Sequence, residues 1–281
     1  MQRRFRLIVR EILSGFIPTL YTKPAWQRSL IEVLYYYVAL HKNKFLRDCL
    51  KTPKPNEQPI ESLDHLINKT LSADIRFDKR QLDRIPKNSP VIIVSNHPTG
   101  ILDGVITLHC LVKIPNFDYN INVVTGNFNI SFFPNFTDYF LPVDLYHKKS
   151  FQSVKAIVQA TRNGKSILLY PSGRAARPRP FRVKEFPWNP SFLKIARRYN
   201  IPIVPLKLNA KNSLFLNVMS VISETLASAL TFREADNAKG RAYSLEIGEP
   251  INIGEEKGIK RALSAFYGPD FPGWTSDLDK R

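Results

Sequence analysis

The stretch Val91-Ile-Ile-Val-Ser-Asn-His97-Pro-Thr-Gly100-Ile-Leu-Asp103-Gly104 decides the fold. Four β-branched apolar residues run into a polar end, a Pro-Thr-Gly corner follows, and an apolar periodic segment then begins. A continuous apolar run of this length bounded by turn residues reads as a buried strand. Pro98 disfavours helical geometry at His97 and keeps it extended at the strand end. Gly100 permits a positive φ or a close backbone approach. A helix starting near Ile101 then places Asp103 in its first turn.

This corner suggests chemistry. Ligands of parallel sheets sit beyond the carboxyl ends of the strands, which is where His97 falls. An imidazole there can take a proton from an attacking hydroxyl, and a carboxylate on its other ring nitrogen fixes the tautomer and stabilises the imidazolium. Either residue alone has a plain structural explanation. The helix dipole favours Asp in a first turn, and a strand-end His is often only a surface residue. Their meeting at one strand–turn–helix corner favours catalysis.

Outward from this corner, strands and helices alternate. Strands are predicted near 75–77, 91–95, 122–124, 140–143, 166–170, 203–208 and 243–247. Helices are predicted near 102–112, 150–161, 191–199, 213–231 and 259–266. The pattern implies an α/β fold, a mostly parallel central sheet flanked by helices. Residues 1–58 form an N-terminal helical segment ending in a linker, Lys51 to Gln58. Residues 59–267 form the α/β domain, and 268–281, with Pro and Gly, form a loosely held tail.

The chain has 281 residues and a formal net charge of +17, which implies an anionic partner: nucleic acid, a phospholipid surface or an acidic substrate. In the N-terminal segment Phe5, Ile8, Val9, Ile12 and Phe16 follow helical spacing, with Arg3, Arg6 and Arg10 clustered on another face. A second helical segment runs from Trp26 to Leu46. The pair reads either as helices lying in a lipid interface, with Arg3, Arg6, Arg10 and Trp26 in contact with the membrane, or as helices packed on their own domain. The basic face tips the balance toward lipid. The apolar run nearest to a span, Leu30 to Leu40, is short and contains Glu32. No secretory signal is evident. The expected location is therefore the cytoplasmic face of a membrane, peripheral or monotopic. Cys49 and Cys110 lack ligand spacing and read as buried packing residues, as do His109 and Cys110 together. No metal or cofactor is expected.

From Thr161 to Asn200 ten Lys and Arg residues stand against one acid, Glu185, with five prolines that predict an irregular centre. Phe181, Phe186 and Trp188 interleave with the charge. A lid binding the anionic part of a substrate is one reading and a solvated loop the other, the latter favoured for Arg177, Arg179 and Arg182 singly. Arg174 is the best binding candidate, because guanidinium pairs bidentately with phosphate or carboxylate. Basic charge with aromatics also suits single-stranded nucleic acid. No nucleic-acid motif is present, and that reading leaves the His-Pro-x-Gly-x-x-Asp corner unexplained, so no nucleic-acid partner is expected.

Asn96-His-Pro-x-Gly-x-x-Asp-Gly104 resembles the first motif of the lysophospholipid and glycerolipid acyltransferase superfamily, most closely the branch of ornithine-lipid and hemolysin-type acyltransferases. The wider superfamily places four residues between His and Asp, and this chain has five. Leu168-Leu-Tyr-Pro171-Ser-Gly173-Arg174 is similar to the Phe-Pro-Glu-Gly block, with Ser172 where Glu is commoner. Ile201-Pro-Ile-Val-Pro205, Phe133-Pro134, Leu141-Pro-Val-Asp144 and Ile247-Gly-Glu-Pro250 resemble weaker blocks. The basic residue usual after the acidic position of the second block is replaced by Leu145, leaving Lys148 or Lys149 to substitute.

The resemblance implies transfer of an acyl group from a thioester, on acyl carrier protein or coenzyme A, to the hydroxyl of a lyso-lipid such as lysophosphatidate, a lysophospholipid or lyso-ornithine lipid. It implies His97 as base, Asp103 as its partner, and Asn96, Gly100, Ser172, Gly173 and Arg174 around the substrate. Backbone N–H groups of the Pro171–Arg174 turn or the helix start would hold the oxyanion. A silent member of the same fold and a hydrolase are the competing readings. No Gly-x-Ser-x-Gly elbow supports the hydrolase.

Overall fold

The computed structural model describes residues 3–16, 18–51, 58–114, 120–143, 150–179 and 182–275. The chain divides into two compact units. One holds residues 74–130, 136–211 and 242–281, and the other holds 1–73, 131–135 and 212–241. The boundary therefore falls near Ala73 rather than at 58, and two later stretches return to the N-terminal unit.

The first of these units is α/β. Its strands are β1 (Asp74–Arg76), β2 (Ile92–Ser95), β3 (Ile121–Gly126), β4 (Phe140–Val143), β5 (Ser166–Leu169), β6 (Arg177–Arg179), β7 (Arg182–Lys184), β8 (Ile203–Asn209) and β9 (Ala242–Ile247). Seven of them form one sheet in the order β1-β9-β8-β2-β5-β3-β4. Every pairing is parallel except β8 with β9. β2 lies between β5 and β8, so the strand that leads to His97 is flanked on both sides and wholly buried. Alternation sends Ile92 and Val94 to one face and Ile93 to the other. Ile92, Val94, Ile167, Leu169 and Ile203 pack with Trp188, Phe192, Leu193, Ile259, Leu263 and Tyr267. Burying such a side chain stabilises by about 1.5–3 kcal/mol.

The helical unit contains α1 (Arg3–Phe16), α2 (Ala25–Tyr35), α3 (Lys44–Cys49) and α4 (Pro59–His65). The α/β unit adds α5 (Ile101–Leu111), α6 (Ser150–Arg162) and α7 (Ser191–Tyr199). The helical unit resumes with α8 (Leu214–Ile222), α9 (Glu224–Ala229) and α10 (Thr231–Asp236), and α11 (Glu256–Tyr267) completes the sheet's cover. The single helix expected over 213–231 is thus interrupted. Ser213 and Ser223 each accept a backbone N–H three residues on, from Leu216 and Leu226, so each starts a helix of its own.

The helices of this unit interlock through polar groups as well as apolar ones. The Tyr35 hydroxyl donates to Ala229 O at 2.5 Å, and Asn43 Nδ2 donates to Phe232 O at 2.8 Å. In α1, Ile8, Val9, Ile12 and Leu13 are buried. The apolar face read as a lipid contact is therefore packed inside its own unit. Arg10 donates to the buried Glu32 at 3.1 Å, so it neutralises an internal carboxylate rather than standing free for a headgroup. Trp26 is exposed. The side chains of Arg3 and Arg6, like the linker 52–57, Asp144, Leu145, Lys148, Lys149 and Phe181, lie outside what is described.

Two further expectations are corrected. The proline-rich centre of the basic run is a hairpin, with Arg177 opposite Lys184 and Arg179 opposite Arg182. A two-stranded ribbon has only edges, where Pro178 without its N–H is tolerated. The tail is held as far as residue 275. Trp188 N–H donates to Gly273 O at 2.8 Å, Thr275 N–H donates to Trp188 O at 2.9 Å, and Trp274 is buried. Cys49 and Cys110 are free and buried, and His109 is buried.

Gly248 follows β9 where the backbone meets the core most closely. A Cβ there would lie 2.7 Å from Pro205 Cγ and 2.9 Å from the Phe266 ring. Gly248→Ala is expected to destabilise the protein by about 1–3 kcal/mol through overpacking, read as a lower urea midpoint with unchanged slope.

Candidate active site

β2 ends at Ser95, and the chain then turns through Asn96–Gly100 into α5. Asn96 continues the strand by side chain: its Nδ2 donates to Leu208 O at 2.9 Å and its Oδ1 accepts Leu208 N–H at 2.7 Å. Both ends of the amide bond β8, so Asn96 fixes the corner. Gly100 has φ 101° and ψ −119°, a conformation L side chains rarely adopt, which is why the corner needs glycine there.

Asp103 lies at the third position of α5 with 0% of its surface exposed. Its Oδ2 accepts three bonds: from His97 Nδ1 at 2.8 Å, Thr99 N–H at 2.8 Å and Gly100 N–H at 2.9 Å. The Thr99 hydroxyl donates to Oδ1. The five-residue spacing therefore closes the His97–Asp103 contact. With Nδ1–H donated to the carboxylate, the Nε2 lone pair is left as the basic site, on a side chain 18% exposed.

The imidazole plane is set from a second direction. The Tyr170 ring stacks on it at 4.5 Å between centroids and 25° between planes. Tyr170 is itself tethered, its hydroxyl 2.6 Å from Thr107 Oγ1, and Thr107 donates to Asp103 O at 2.5 Å. Burial, with Asp103 nearby, pushes the Tyr170 hydroxyl well above its ordinary value, so it stays protonated. One helical turn thus holds the carboxylate, and a hydroxyl that anchors the ring stacked on its histidine.

The main chain of His97 is held by residues at either end of the β6–β7 hairpin. Ala176 N–H donates to His97 O at 2.7 Å, and His97 N–H donates to Glu185 Oε1 at 3.1 Å. Ser172 and Gly173 form the turn after β5, with Gly173 at φ 63°. The Arg174 and Arg179 guanidiniums both lie over the Phe186 ring, at 4.3 and 4.6 Å from its centroid. Two cations against one aromatic ring form a concentrated positive patch. Arg177, read as solvated, is buried, and it donates to Ala176 O at 3.2 Å. Burial, then the neighbouring Arg174 charge, lower its pKa.

Some of the oxyanion donors expected from sequence are engaged elsewhere. Thr99 and Gly100 N–H serve Asp103, and Gly173 N–H donates to Tyr170 O at 2.9 Å. Sequence reasoning missed Thr99, Thr107, Tyr170 and Glu185 as parts of the site. The available signals were Tyr170 beside Pro171 at a strand end, and Glu185 as the lone acid in a basic run.

Residues 76–209 match the family model described as Acyltransferase. Over these residues the chain resembles acyltransferases. A lyso-glycine lipid O-acyltransferase of Phocaeicola vulgatus is 22% identical over 184 residues, covering 63% of this chain and 65% of that protein. The match thus spans less than two thirds of that relative's length. A lyso-glycine lipid O-acyltransferase of Bacteroides thetaiotaomicron is 20% identical over 228 residues, covering 77% of this chain and 83% of that protein. The crystal structure of the 1-acyl-sn-glycerophosphate acyltransferase PlsC from Thermotoga maritima aligns over 98% of both chains, at 14% identity and TM-score 0.45. The acyltransferase match begins in β1 and ends with β8, and so contains the whole His97–Asp103 corner and the Ser172–Arg174 turn.

Asp103→Asn retains the shape of the carboxylate but not its charge. It is expected to lower kcat by about 10²–10⁴ with a small change in melting temperature. Asp103→Ala strips the Thr99 and Gly100 N–H groups of their acceptor, and is expected to cost about 3 kcal/mol in urea unfolding as well.

Proposed function

We propose that this protein moves a fatty acyl group from an acyl thioester, on acyl carrier protein or coenzyme A, to the hydroxyl of a lyso-lipid at a membrane surface. The observation that carries the reading is the 2.8 Å contact between His97 Nδ1 and the buried Asp103 carboxylate. Nε2 takes the acceptor's hydroxyl proton as its oxygen attacks the thioester carbonyl carbon, while Asp103 stabilises the imidazolium. The tetrahedral intermediate collapses, the C–S bond breaks, and the imidazolium returns the proton to the leaving thiolate. The products are an ester and a free thiol.

The acceptor we favour is a lyso-aminolipid, with lyso-glycine lipid the first to test, because both relatives carry that name. The paired Arg174 and Arg179 guanidiniums suit an anionic head group, phosphate or carboxylate. A catalytically silent protein gains nothing from ordering a buried carboxylate on one face of an imidazole and a tyrosine on another, so the active reading is preferred.

Attachment to the bilayer is peripheral in this reading, and among the described residues no helix is long and apolar enough to span one. The contact is assigned to α2 and α8 of the helical unit. The outward side of α8 carries Leu214, Phe215, Val218, Val221 and Ile222, three of them 68–80% exposed, while its inward side carries Leu216 and Ser220. That polarity is the reverse of a water-facing helix. On α2 and the turn after it, Trp26, Leu30, Val33, Leu34 and Tyr37 are likewise exposed at helical spacing. Arg233 lies over Phe215 at 4.2 Å, placing a cation beside the stripe as an anionic interface requires. Self-association through the same stripe is disfavoured by the net charge of +17 on each copy.

Purified protein with anionic vesicles is expected to move acyl label from a thioester to lyso-glycine lipid. His97→Ala is expected to reduce the rate by about 10²–10⁴, with a lower melting point from the donor that Asp103 loses but a folded protein. Label released only as free fatty acid favours hydrolysis, and full activity in His97→Ala removes the base. The double substitution Val221→Glu with Ile222→Glu is expected to abolish flotation with anionic vesicles while the melting point is kept. Unchanged flotation removes α8 from the interface, and a dimer dissolved by the substitution assigns the stripe to a second copy.

A further inference from the structure

β6 and β7 have three residues each and pair antiparallel, with Arg177 opposite Lys184, Pro178 opposite Val183 and Arg179 opposite Arg182. Side chains alternate along a strand, and residues directly opposite each other share a face. The register therefore gathers Arg177, Arg179, Arg182 and Lys184 on one face of the ribbon and leaves Pro178 and Val183 on the other. Every strand position of the first face is a cation. Arg177 is buried, and Arg179, Arg182 and Lys184 are exposed. Arg174 adds a fifth charge beside them, its guanidinium sharing the Phe186 ring with that of Arg179.

This arrangement works against the ribbon's own stability. Like charges directly opposite across two strands are destabilising, and a two-stranded hairpin is marginal by itself in water. The chain does not neutralise the face. Glu185, the one acid of the basic run, turns its carboxylate inward, to the His97 peptide N–H at 3.1 Å and the Trp188 indole N–H at 2.9 Å. Among the described residues no carboxylate pairs with Arg179, Arg182 or Lys184. A local rule broken with no compensation inside the chain marks a functional surface. The compensation missing here is negative charge.

Both ends of the ribbon are tied to the catalytic corner. Ala176, just before β6, donates its N–H to His97 O at 2.7 Å, and Glu185, just after β7, accepts the His97 N–H. An anionic partner resting on the cationic face is thereby held beside the base. Three features select its class. Arg182 and Lys184 stand side by side along β7, each next to a cation of β6, which matches acids spread over a surface; a lone phosphate is gripped by converging donors. The strand positions of this face carry no apolar side chain, whereas a segment that enters a lipid interface needs one. The base must also meet a thioester that some carrier brings to it. An acidic protein bearing the acyl group on a thiol meets all three demands.

We propose that the cationic face of the β6–β7 ribbon, with Arg182 and Lys184 as its exposed contacts, is the docking surface for an acidic acyl carrier protein that delivers the acyl group. This rests on the acyl-transfer reading and selects the protein-borne donor over the free coenzyme. Docking of this kind is electrostatic. It speeds encounter and strengthens donor binding, and it leaves the chemical step to His97 and Asp103.

The experiment compares wild type with the double substitution Arg182→Glu and Lys184→Glu, using three donors: acyl carrier protein, coenzyme A and uncharged N-acetylcysteamine, each loaded with the same acyl chain. The substitutions set a carboxylate opposite Arg179 and another opposite Arg177, so cross-strand attraction replaces repulsion and the melting point is expected to be kept or raised. KM for the protein-borne donor is expected to rise by about tenfold or more with kcat within about twofold, while both constants for the two small donors stay within about twofold. In wild type, added salt is expected to raise KM for the protein-borne donor and to leave that for the N-acetylcysteamine ester unchanged. Lys194→Glu with Arg198→Glu, an equal change of charge on the exposed side of α7, is expected to leave use of the carrier protein as in wild type. An unchanged KM for the protein-borne donor overturns the proposal. So does an equal loss with coenzyme A, which assigns the face to phosphate, or an equal loss in the α7 variant, which assigns the effect to net charge. Lost flotation with anionic vesicles, with the carrier protein used normally, assigns the face to lipid and overturns it too. If wild type transfers no acyl group from any donor, the acyl-transfer reading fails. Fluorescence anisotropy of labelled acyl carrier protein then still decides the docking surface: binding weakened about tenfold by the ribbon variant supports it, and unchanged or absent binding overturns it.

Discussion

Asp103 carries a carboxylate that no water reaches, and the arrangement of the corner answers that constraint. An ionised group in a low-dielectric interior is costly unless its lone pairs are filled by donors. Here two backbone N–H groups, one hydroxyl and one imidazole supply them. Filling them forces the chain at Thr99–Gly100 to fold back on α5, which in turn forces the positive φ at Gly100. The same bonds leave His97 with its Nδ1–H engaged and its Nε2 free. Structural need and the proposed chemistry therefore coincide in a single carboxylate, and the α5 N-terminus adds a favourable dipole to both.

The remaining architecture keeps that corner still. β2 is buried between β5 and β8, so the strand end cannot drift. The Tyr267 hydroxyl, from α11, sits 2.9 Å from Val94 O and 2.8 Å from Leu206 O and caps two of the strands beside the corner. Tyr170 fixes the plane of the imidazole from one side. Ala176 and Glu185 hold its peptide unit from the other. Residues remote in sequence thus reach His97 through short chains of contact, such as Gly273–Trp188–Glu185–His97.

The helical unit shows a different logic. In α1 the apolar stripe faces inward, and its neighbour Arg10 neutralises the buried Glu32. In α8 the apolar stripe faces outward. Both helices are amphipathic by sequence, and a hydrophobic face says only that it avoids water. Whether it meets protein or lipid depends on which neighbours fold against it. Periodicity in sequence gives a helix its apolar face but not the direction in which that face points.

The local pattern of the chain was enough for the strands and helices of the α/β unit, for the strand–turn–helix corner, and for His97 and Asp103 as a candidate pair. These follow from interactions within a few residues: β-branched runs, a proline that blocks helix, a glycine that permits positive φ, and an acid in a first helical turn. The anchored tail and the roles of Asn96, Tyr170 and Glu185 were decided by tertiary structure alone. Each depends on a partner distant along the chain, such as Asn96 on Leu208 or Glu185 on the peptide of His97. A hydrogen bond between residues a hundred apart leaves no periodic trace in sequence, because only the packed sheet brings its donor and acceptor within reach.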